Sequence, residues 1–155
     1  MTQLYQFISL FFGEILYYVL LLFVLEKLVR GKKSVALQFV LSVAITWSIV
    51  YVIKQLVPMP RPYVVWDLPM LTTNVSPYSS FPSGHAAVSM TIAVMSWLVG
   101  DPVKRALLFL AFCVMAGRVM LFVHFPFDAL VGATIGAVVA WGVKRLSLDK
   151  KLNMR

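Results

Sequence analysis

Five long apolar blocks in a chain of only 155 residues constrain the fold more than any other feature of this sequence. The blocks cover residues 7–25, 35–53, 84–99, 106–123 and 127–143. The first, second and fourth blocks have the length of a bilayer-spanning helix. The third and fifth blocks are shorter, but each has flanking residues that are compatible with a helix and extend it. With 61% hydrophobic residues, the chain is too apolar for a soluble domain of this size. We therefore predict an all-α, polytopic membrane helix bundle with about five transmembrane helices.

The rest of the chain predicts a single domain. Residues 1–146 form one transmembrane helical domain in this interpretation, and residues 147–155 form a short basic cytoplasmic tail. The N-terminal segment MTQLYQ carries no basic residue, and no small-residue cleavage site follows the first block, so we expect no cleavable signal. The single cysteine, Cys113, lies inside the fourth block, which excludes a disulfide framework or a cysteine metal cluster.

The basic residues are distributed unevenly between the two faces of a five-span protein. Eleven of the fourteen fall on one face: Lys27, Arg30, Lys32, Lys33, Lys104, Arg105, Lys144, Arg145, Lys150, Lys151 and Arg155. The positive-inside rule makes that face cytoplasmic, which places the N-terminus outside the cell and the C-terminus inside. The net charge of +8 is then explained by membrane orientation and contact with anionic lipid, so we expect no nucleic-acid partner.

The three other basic residues belong to the outer face: Lys54, Arg61 and Arg118. One explanation is that long side chains near helix ends extend to the lipid headgroups. The other is an anionic ligand, because an unpaired cation at the apolar boundary is costly. Both histidines of the chain, His85 and His124, fall on this face together with Asp128. That coincidence favours a site for a multiply charged anion with acid–base groups beside it.

Phosphoryl transfer is the chemistry that these residue types suit best. Arginine binds two phosphate oxygens with its planar fork, and lysine adds a point charge. Ser83 is expected to cap the third helix, and Gly84 lets the backbone approach a ligand, so that helix N-terminus can hold phosphate. No carboxylate cluster with metal-ligand spacing occurs on this face, so neither a metal nor another cofactor is expected.

The spacing of His124 and Asp128 indicates a catalytic pair. The two residues are four apart, and Pro126 between them suits the first turn of a helix, in which both side chains face the same way. A carboxylate behind an imidazole fixes its tautomer and stabilises the cation that forms when the other nitrogen attacks. His85 would then protonate the departing oxygen.

These residues form three motifs that resemble those of the type 2 phosphatidic acid phosphatase superfamily, K-x6-RP, PSGH and SR-x5-H-x3-D. The motifs occur in the family's order and with its spacing, from about residue 50 to the end of the fifth block. The matching positions are Lys54, Arg61, Pro62, Pro82, Ser83, Gly84, His85, Arg118, His124 and Asp128.

The resemblance implies a role for each of these positions and a metal-independent reaction. His124 resembles the nucleophile that forms a phosphohistidine intermediate, Asp128 resembles its orienting partner, and His85 resembles the general acid. The implied phosphate ligands are Lys54, Arg61, Arg118, Ser83 and the backbone of Gly84.

Two departures from the family pattern bear on the site. Gly117 stands where the family usually has serine, so we expect one hydrogen bond to phosphate to be missing and the site to be weaker or differently tuned. The chain also has five predicted spans, whereas six are common in the family. The missing helix would lie upstream of the motifs.

The implied enzyme is a lipid phosphatase on the extracytoplasmic face of a bacterial plasma membrane. We expect undecaprenyl diphosphate, which is recycled during cell wall synthesis, as its substrate. Phosphatidylglycerol phosphate and phosphatidic acid are the alternatives within this class. A lipid-phosphate transporter or a non-catalytic binding subunit is the alternative of another class, although binding alone needs no carboxylate-backed histidine.

Three further features leave alternatives open. Glu14, midway through the first block, is either protonated, hydrogen-bonded across a helix interface, or involved with substrate. Gly132 and Gly136 suit close helix packing, within the subunit or across a homodimer. Residues 63–81, rich in aromatic side chains, either roof the site in the membrane interface or form an ordinary connecting loop.

Overall fold

The computed structural model describes residues 3–72 and 75–152, with side chains up to residue 147. Every regular element within these residues is a helix, which confirms the predicted all-α bundle. The first apolar block forms α1 (Gln3–Leu10), which continues through a π-helical turn (Phe11–Ile15) into α2 (Leu16–Arg30). The remaining elements are α3 (Lys33–Leu56), the short α4 (Pro62–Val65), α5 (Gly84–Leu98), α6 (Lys104–Met120) and α7 (Pro126–Leu152).

The long helices have the dimensions of a membrane bundle. Within the described residues, three helical stretches are long and apolar enough to cross a bilayer: Gln3–Arg30, Lys33–Leu56 and Pro126–Ser147. The shorter α5 and α6, of 15 and 17 residues, correspond to the third and fourth predicted spans. Large apolar side chains point outwards, as they do on a surface that contacts lipid. The boundary predicted at residue 146 stays a prediction: α7 continues to Leu152, and residues 153–155 lie outside the described part of the chain.

Helix α5 occupies the centre of the bundle. Ten of its fifteen residues are buried, and it packs against α3, α6 and α7. Its sequence, GHAAVSMTIAVMSWL, explains this position, because a helix without a charged face and with many small residues can be enclosed by neighbours on all sides. The site described below is built at the N-terminal end of this central helix.

Gly132 and Gly136 of the fifth block provide close helix contacts inside the subunit. A side chain at Gly132 would collide with the backbone oxygen of Ser83, and one at Gly136 would collide with that of Ala87. The hydroxyl of Thr91 adds a bond of 3.3 Å to the Gly136 carbonyl. The close packing is therefore between α5 and α7, and the homodimer stays a prediction.

Helix α6 ends earlier than the apolar pattern suggests. The fourth block continues to residue 123, whereas the helix ends at Met120. Phe122 adopts a left-handed backbone conformation with φ of 56°, which reverses the chain, and its carbonyl accepts a bond of 2.9 Å from the Tyr63 N–H. Hydrophobicity could not reveal this turn, because the residues that form it are themselves buried or half-buried. The turn directs His124 back into the bundle.

Candidate active site

Two helix N-termini meet at one end of the bundle. Ser83 caps α5 as predicted, since its hydroxyl oxygen accepts a bond of 3.4 Å from the Ala86 N–H. The Ser83 N–H in turn donates to the Asp128 carbonyl at 3.0 Å, which ties the start of α5 to the first turn of α7. Pro126 begins α7, also as predicted. Both positive helix ends therefore lie beside the predicted site residues.

His124 lies between Arg61 and Asp128 and is almost completely buried. Its Nε2 is 3.4 Å from Nη1 of Arg61, and its Nδ1 is 3.7 Å from Oδ2 of Asp128. A guanidinium can only donate, so Nε2 carries a lone pair in this contact, and the ring proton belongs on Nδ1, towards Asp128. This is the tautomer that a histidine nucleophile needs. The distance to Asp128 is that of an ion pair and exceeds that of a hydrogen bond.

Burial keeps His124 in its neutral form. Removal from water lowers the pKa of His124, and the nearby charge of Arg61 acts in the same direction, against the opposing effect of Asp128. At neutral pH the imidazole is therefore uncharged and can act as a nucleophile. Arg61 is also buried, and burial lowers the pKa of its guanidinium to about 10, with a further contribution from Arg118. Arg61 thus stays charged at neutral pH.

Asp128 is held rigidly by neighbours other than His124. Its Oδ2 accepts bonds from the Ser80 hydroxyl at 2.5 Å and from the Phe125 N–H at 2.9 Å. A carboxylate in the first turn of a helix is also stabilised by the helix dipole. The negative charge behind His124 therefore has a fixed position.

Backbone carbonyls of the loop before α5 orient Lys54 and Arg61. Arg61 donates from Nε to the Ser76 carbonyl at 2.7 Å and from Nη2 to the Ser79 carbonyl at 3.1 Å. Its Nη1 donates to the Val123 carbonyl at 2.6 Å. Lys54 donates from Nζ to the same Ser79 carbonyl at 2.5 Å. Two cations thus converge on one carbonyl oxygen, with no carboxylate neutralising either directly among the described residues.

Arg118 reaches the site through Glu14. The guanidinium is 1% exposed, and its Nη1 contacts Oε1 of Glu14. Oε2 of the same carboxylate is 3.3 Å from Nε2 of His85, and the Thr72 hydroxyl donates to Oε1 at 3.0 Å. Glu14 therefore bridges two predicted site residues across helix interfaces, the second of the three alternatives considered for it.

A π-helical turn and a contact between two glycines bring Glu14 to this position. The turn spans Phe11–Ile15, and π-helical turns often occur at functional sites. A side chain at Gly117 would collide with the backbone of Phe12 and Gly13. The serine that the family usually has at position 117 would therefore not fit, and glycine allows the π-helical turn and α6 to approach closely enough for Glu14 to contact Arg118.

Two cavities open beside His85. The larger, of about 630 Å³, is lined by Gln6, Leu10, Glu14, Tyr17, Tyr18, Leu71, Thr72, Val75, His85 and Arg118. The smaller, of about 200 Å³, lies between α2 and α3 and is lined by Tyr17, Trp47, Val50, Tyr51, Lys54, Gly84 and His85. Tyr17 and His85 separate the two, with ring centroids 4.1 Å apart.

The structure brings the predicted residues to one end of the bundle, with Arg61 and Arg118 acting electrostatically on both histidines. Sequence reasoning missed the contributions of Thr72, Ser79 and Ser80. They belong to the segment 63–81, whose described part covers the site and so fits the roofing alternative. Ser79 accepts bonds from Lys54 and Arg61 mainly through its backbone carbonyl, for which a sequence carries no signal. Within the described residues, no group of three or more His, Cys, Asp or Glu could hold a metal ion.

Comparisons with known proteins identify the family and the fold of this chain. Residues 35–151 match the PAP2 superfamily. The fold is similar to the crystal structure of Aquifex aeolicus LpxE, with a TM-score of 0.76 and 26% sequence identity, over 96% of this chain and 88% of that one. None of the curated protein sequences matches this chain significantly. The match covers most of the chain, including the ends of α3, α5, α6 and α7 that form the site. The chain belongs to the PAP2 superfamily and has the fold of a membrane lipid phosphatase.

Proposed function

We propose that this protein removes a phosphate from a lipid phosphate or diphosphate through a phosphohistidine intermediate on His124. The observation that carries the proposal is the environment of His124: a buried, neutral imidazole with Arg61 at Nε2 and Asp128 behind Nδ1. A lipid-binding or transport protein would need the cations, but it would not need a carboxylate-backed imidazole next to them.

In this mechanism, Lys54, Arg61 and Arg118 neutralise the phosphoryl oxygens. The N-terminus of α5 adds its dipole and the backbone N–H of Gly84. The smaller cavity supports this placement, because Lys54, Gly84 and His85 all line it. Cations already held by backbone carbonyls need little reorganisation when charge moves to the leaving oxygen.

The first chemical step is an in-line displacement at phosphorus. Nε2 of His124 forms the N–P bond with its lone pair while the bond from phosphorus to the lipid-linked oxygen breaks, and that oxygen takes a proton from His85. Asp128 stabilises the ring, which becomes cationic. In the second step, water gives a proton to His85 and attacks phosphorus, so that phosphate leaves and the neutral His124 is restored.

We propose undecaprenyl diphosphate as the substrate, with phosphatidylglycerol phosphate and phosphatidic acid as the alternatives. The smaller cavity supports a lipid substrate, because Lys54 lines it together with the exposed Trp47 and Tyr51 on α3. We also propose that the N-terminus and the site face the outside of the plasma membrane. The supporting observation is that Lys27 and Asp101 pair at 2.8 Å in the region of the bundle where the other basic residues cluster in sequence.

Phosphate release from purified protein tests the proposal. The wild type and His124→Ala are incubated with each of the three lipids in the presence of EDTA. The proposal expects release by the wild type that EDTA does not abolish and that His124→Ala lacks, and the preferred lipid identifies the substrate. Lipid binding without release from any of the three would favour the transporter or binding subunit. Loss of activity in EDTA would contradict the metal-independent mechanism.

A further inference from the structure

We propose that Glu14 is an internal competitor of the phosphoryl group. Its carboxylate binds Arg118 and His85, gives way when a substrate phosphate binds, and returns when the product phosphate leaves. The inference rests on the proposed function, because it takes Arg118 and His85 to be groups that contact the phosphoryl group. It concerns a residue that lies outside the stretch 35–151 matched to the family.

The geometry of the carboxylate is that of a substitute for two phosphate oxygens. Oε1 contacts Nη1 of Arg118, and Oε2 lies 3.3 Å from Nε2 of His85. The two oxygens of one anion thus occupy two of the groups that the mechanism assigns to phosphate. A phosphate dianion cannot share them with an ionised carboxylate at contact distance, because the like charges repel each other. Binding of phosphate through these groups therefore requires Glu14 to move.

Glu14 has space in which to move. Its side chain is 21% exposed and borders the larger cavity, which Gln6 and Tyr18 also line. The contrast with Asp128 is clear, since that side chain is 1% exposed and has two further hydrogen-bond donors. Among the contacts described, the Thr72 hydroxyl is the one neutral donor to Glu14. Rotation of the carboxylate into the cavity would break three contacts, and the entering phosphate would replace Glu14 as the counter-charge of the buried Arg118.

Competition of this kind has a consequence for turnover. Product phosphate would be held by three cations, Lys54, Arg61 and Arg118, and such an ion dissociates slowly from a buried site. A carboxylate that is tethered beside Arg118 and His85 competes at high effective concentration for both. Glu14 therefore weakens phosphate binding and shortens the time for which product occupies the site.

The test is the inhibition constant of inorganic phosphate, measured against lipid phosphate hydrolysis by detergent-purified protein. Glu14→Gln keeps the size of the side chain and removes its charge. Glu26→Gln is the matched control, since Glu26 lies on the same helical segment, is exposed, and pairs only with Lys27, at 3.2 Å, in the ion pairs described. The inference expects the inhibition constant to fall about tenfold in Glu14→Gln, the effect of losing a competing charge-assisted contact, and to stay unchanged in Glu26→Gln.

An unchanged or higher inhibition constant in Glu14→Gln, with a lower kcat, would overturn the inference and show that Glu14 instead orients His85. Glu14→Asp provides a second measurement if the first variant does not fold: the shorter carboxylate keeps its charge but cannot bridge both partners, so phosphate should bind with intermediate strength. If the wild type releases no phosphate from any lipid, the proposed function itself fails. If it does and neither variant changes phosphate inhibition, only the role of Glu14 fails.

Discussion

The site contains two carboxylate–imidazole pairs, Asp128 with His124 and Glu14 with His85, and they differ in almost every physical respect. The first pair is 1% and 2% exposed, and its members lie four residues apart on one turn of chain. The second pair is 21% and 26% exposed and borders a cavity, and its two residues lie 71 positions apart in sequence. One carboxylate has further donors that hold it in place, whereas the other bridges two groups that a phosphate would also bind.

This difference teaches that charge and proximity alone do not define a role. A buried carboxylate with a fixed position can stabilise a cation that forms during each turnover. A partly exposed carboxylate beside a cavity can give up its cationic partners to another anion. The predictions below test whether the two pairs are as different in function as they are in burial.

The largest effect is expected from loss of the nucleophile. His124→Ala should reduce kcat/KM for lipid phosphate by about 10⁴-fold or more, because no other group forms the N–P bond. His85→Ala should reduce it less, since water can slowly protonate the leaving lipid-linked oxygen. Steady-state phosphate release measures both. Equal residual activities in the two variants would remove the distinction between nucleophile and acid.

The second effect separates the two carboxylates. Asp128→Asn should lower kcat by about 10³-fold, because the cationic ring loses its counter-charge and its tautomer is no longer fixed. Glu14→Gln should lower the inhibition constant of phosphate instead, with a much smaller change in kcat. Full kinetic curves for both variants, with phosphate as inhibitor, give the comparison. A large fall in kcat for Glu14→Gln would contradict this distinction, because it would show that Glu14 acts in the chemical step as Asp128 does.

The third effect concerns the contact that brings Glu14 to the site. Gly117→Ala should destabilise the protein by about 1–3 kcal/mol, because the added methyl group collides with the backbone of Phe12 and Gly13. Gly142→Ala is the control, since Gly142 lies in a helix with nothing within 4 Å of the added carbon. Thermal unfolding in detergent should show a lower midpoint for the first variant only. Equal midpoints would mean that the π-helical turn and α6 are not in close contact.

The smallest effect is expected from pH. Protonation would inactivate His124 as a nucleophile, but burial lowers its pKa well below the usual 6.5. The neutral form of His124 therefore persists as pH falls from 7 to 5. After correction for titration of the substrate, protonation of His124 should change kcat/KM by no more than about twofold over this range. A fall with a midpoint near 6.5 would show instead that His124 titrates like an exposed histidine.

Much of the site could be predicted from the sequence because its residues carry local signals. Ser83 caps α5 and Pro126 begins α7 through rules that involve only a few neighbouring residues. Motif spacing and the order of five helices place the matched cations and histidines at one end. Glu14 was singled out as an intramembrane carboxylate, but its partner lies 104 residues away. That contact depends on a π-helical turn and on the absence of a side chain at Gly117, which no local rule predicts.

The most direct test of the account is to trap the covalent intermediate. Rapid alkaline quenching of the wild-type protein during turnover of a lipid substrate with a ³²P-labelled terminal phosphate, followed by peptide mass spectrometry, locates the phosphorylated residue. The account predicts an acid-labile label on His124 that is absent from His124→Ala. Phosphate on His85, or turnover of the lipid by His124→Ala at the wild-type rate, would contradict it.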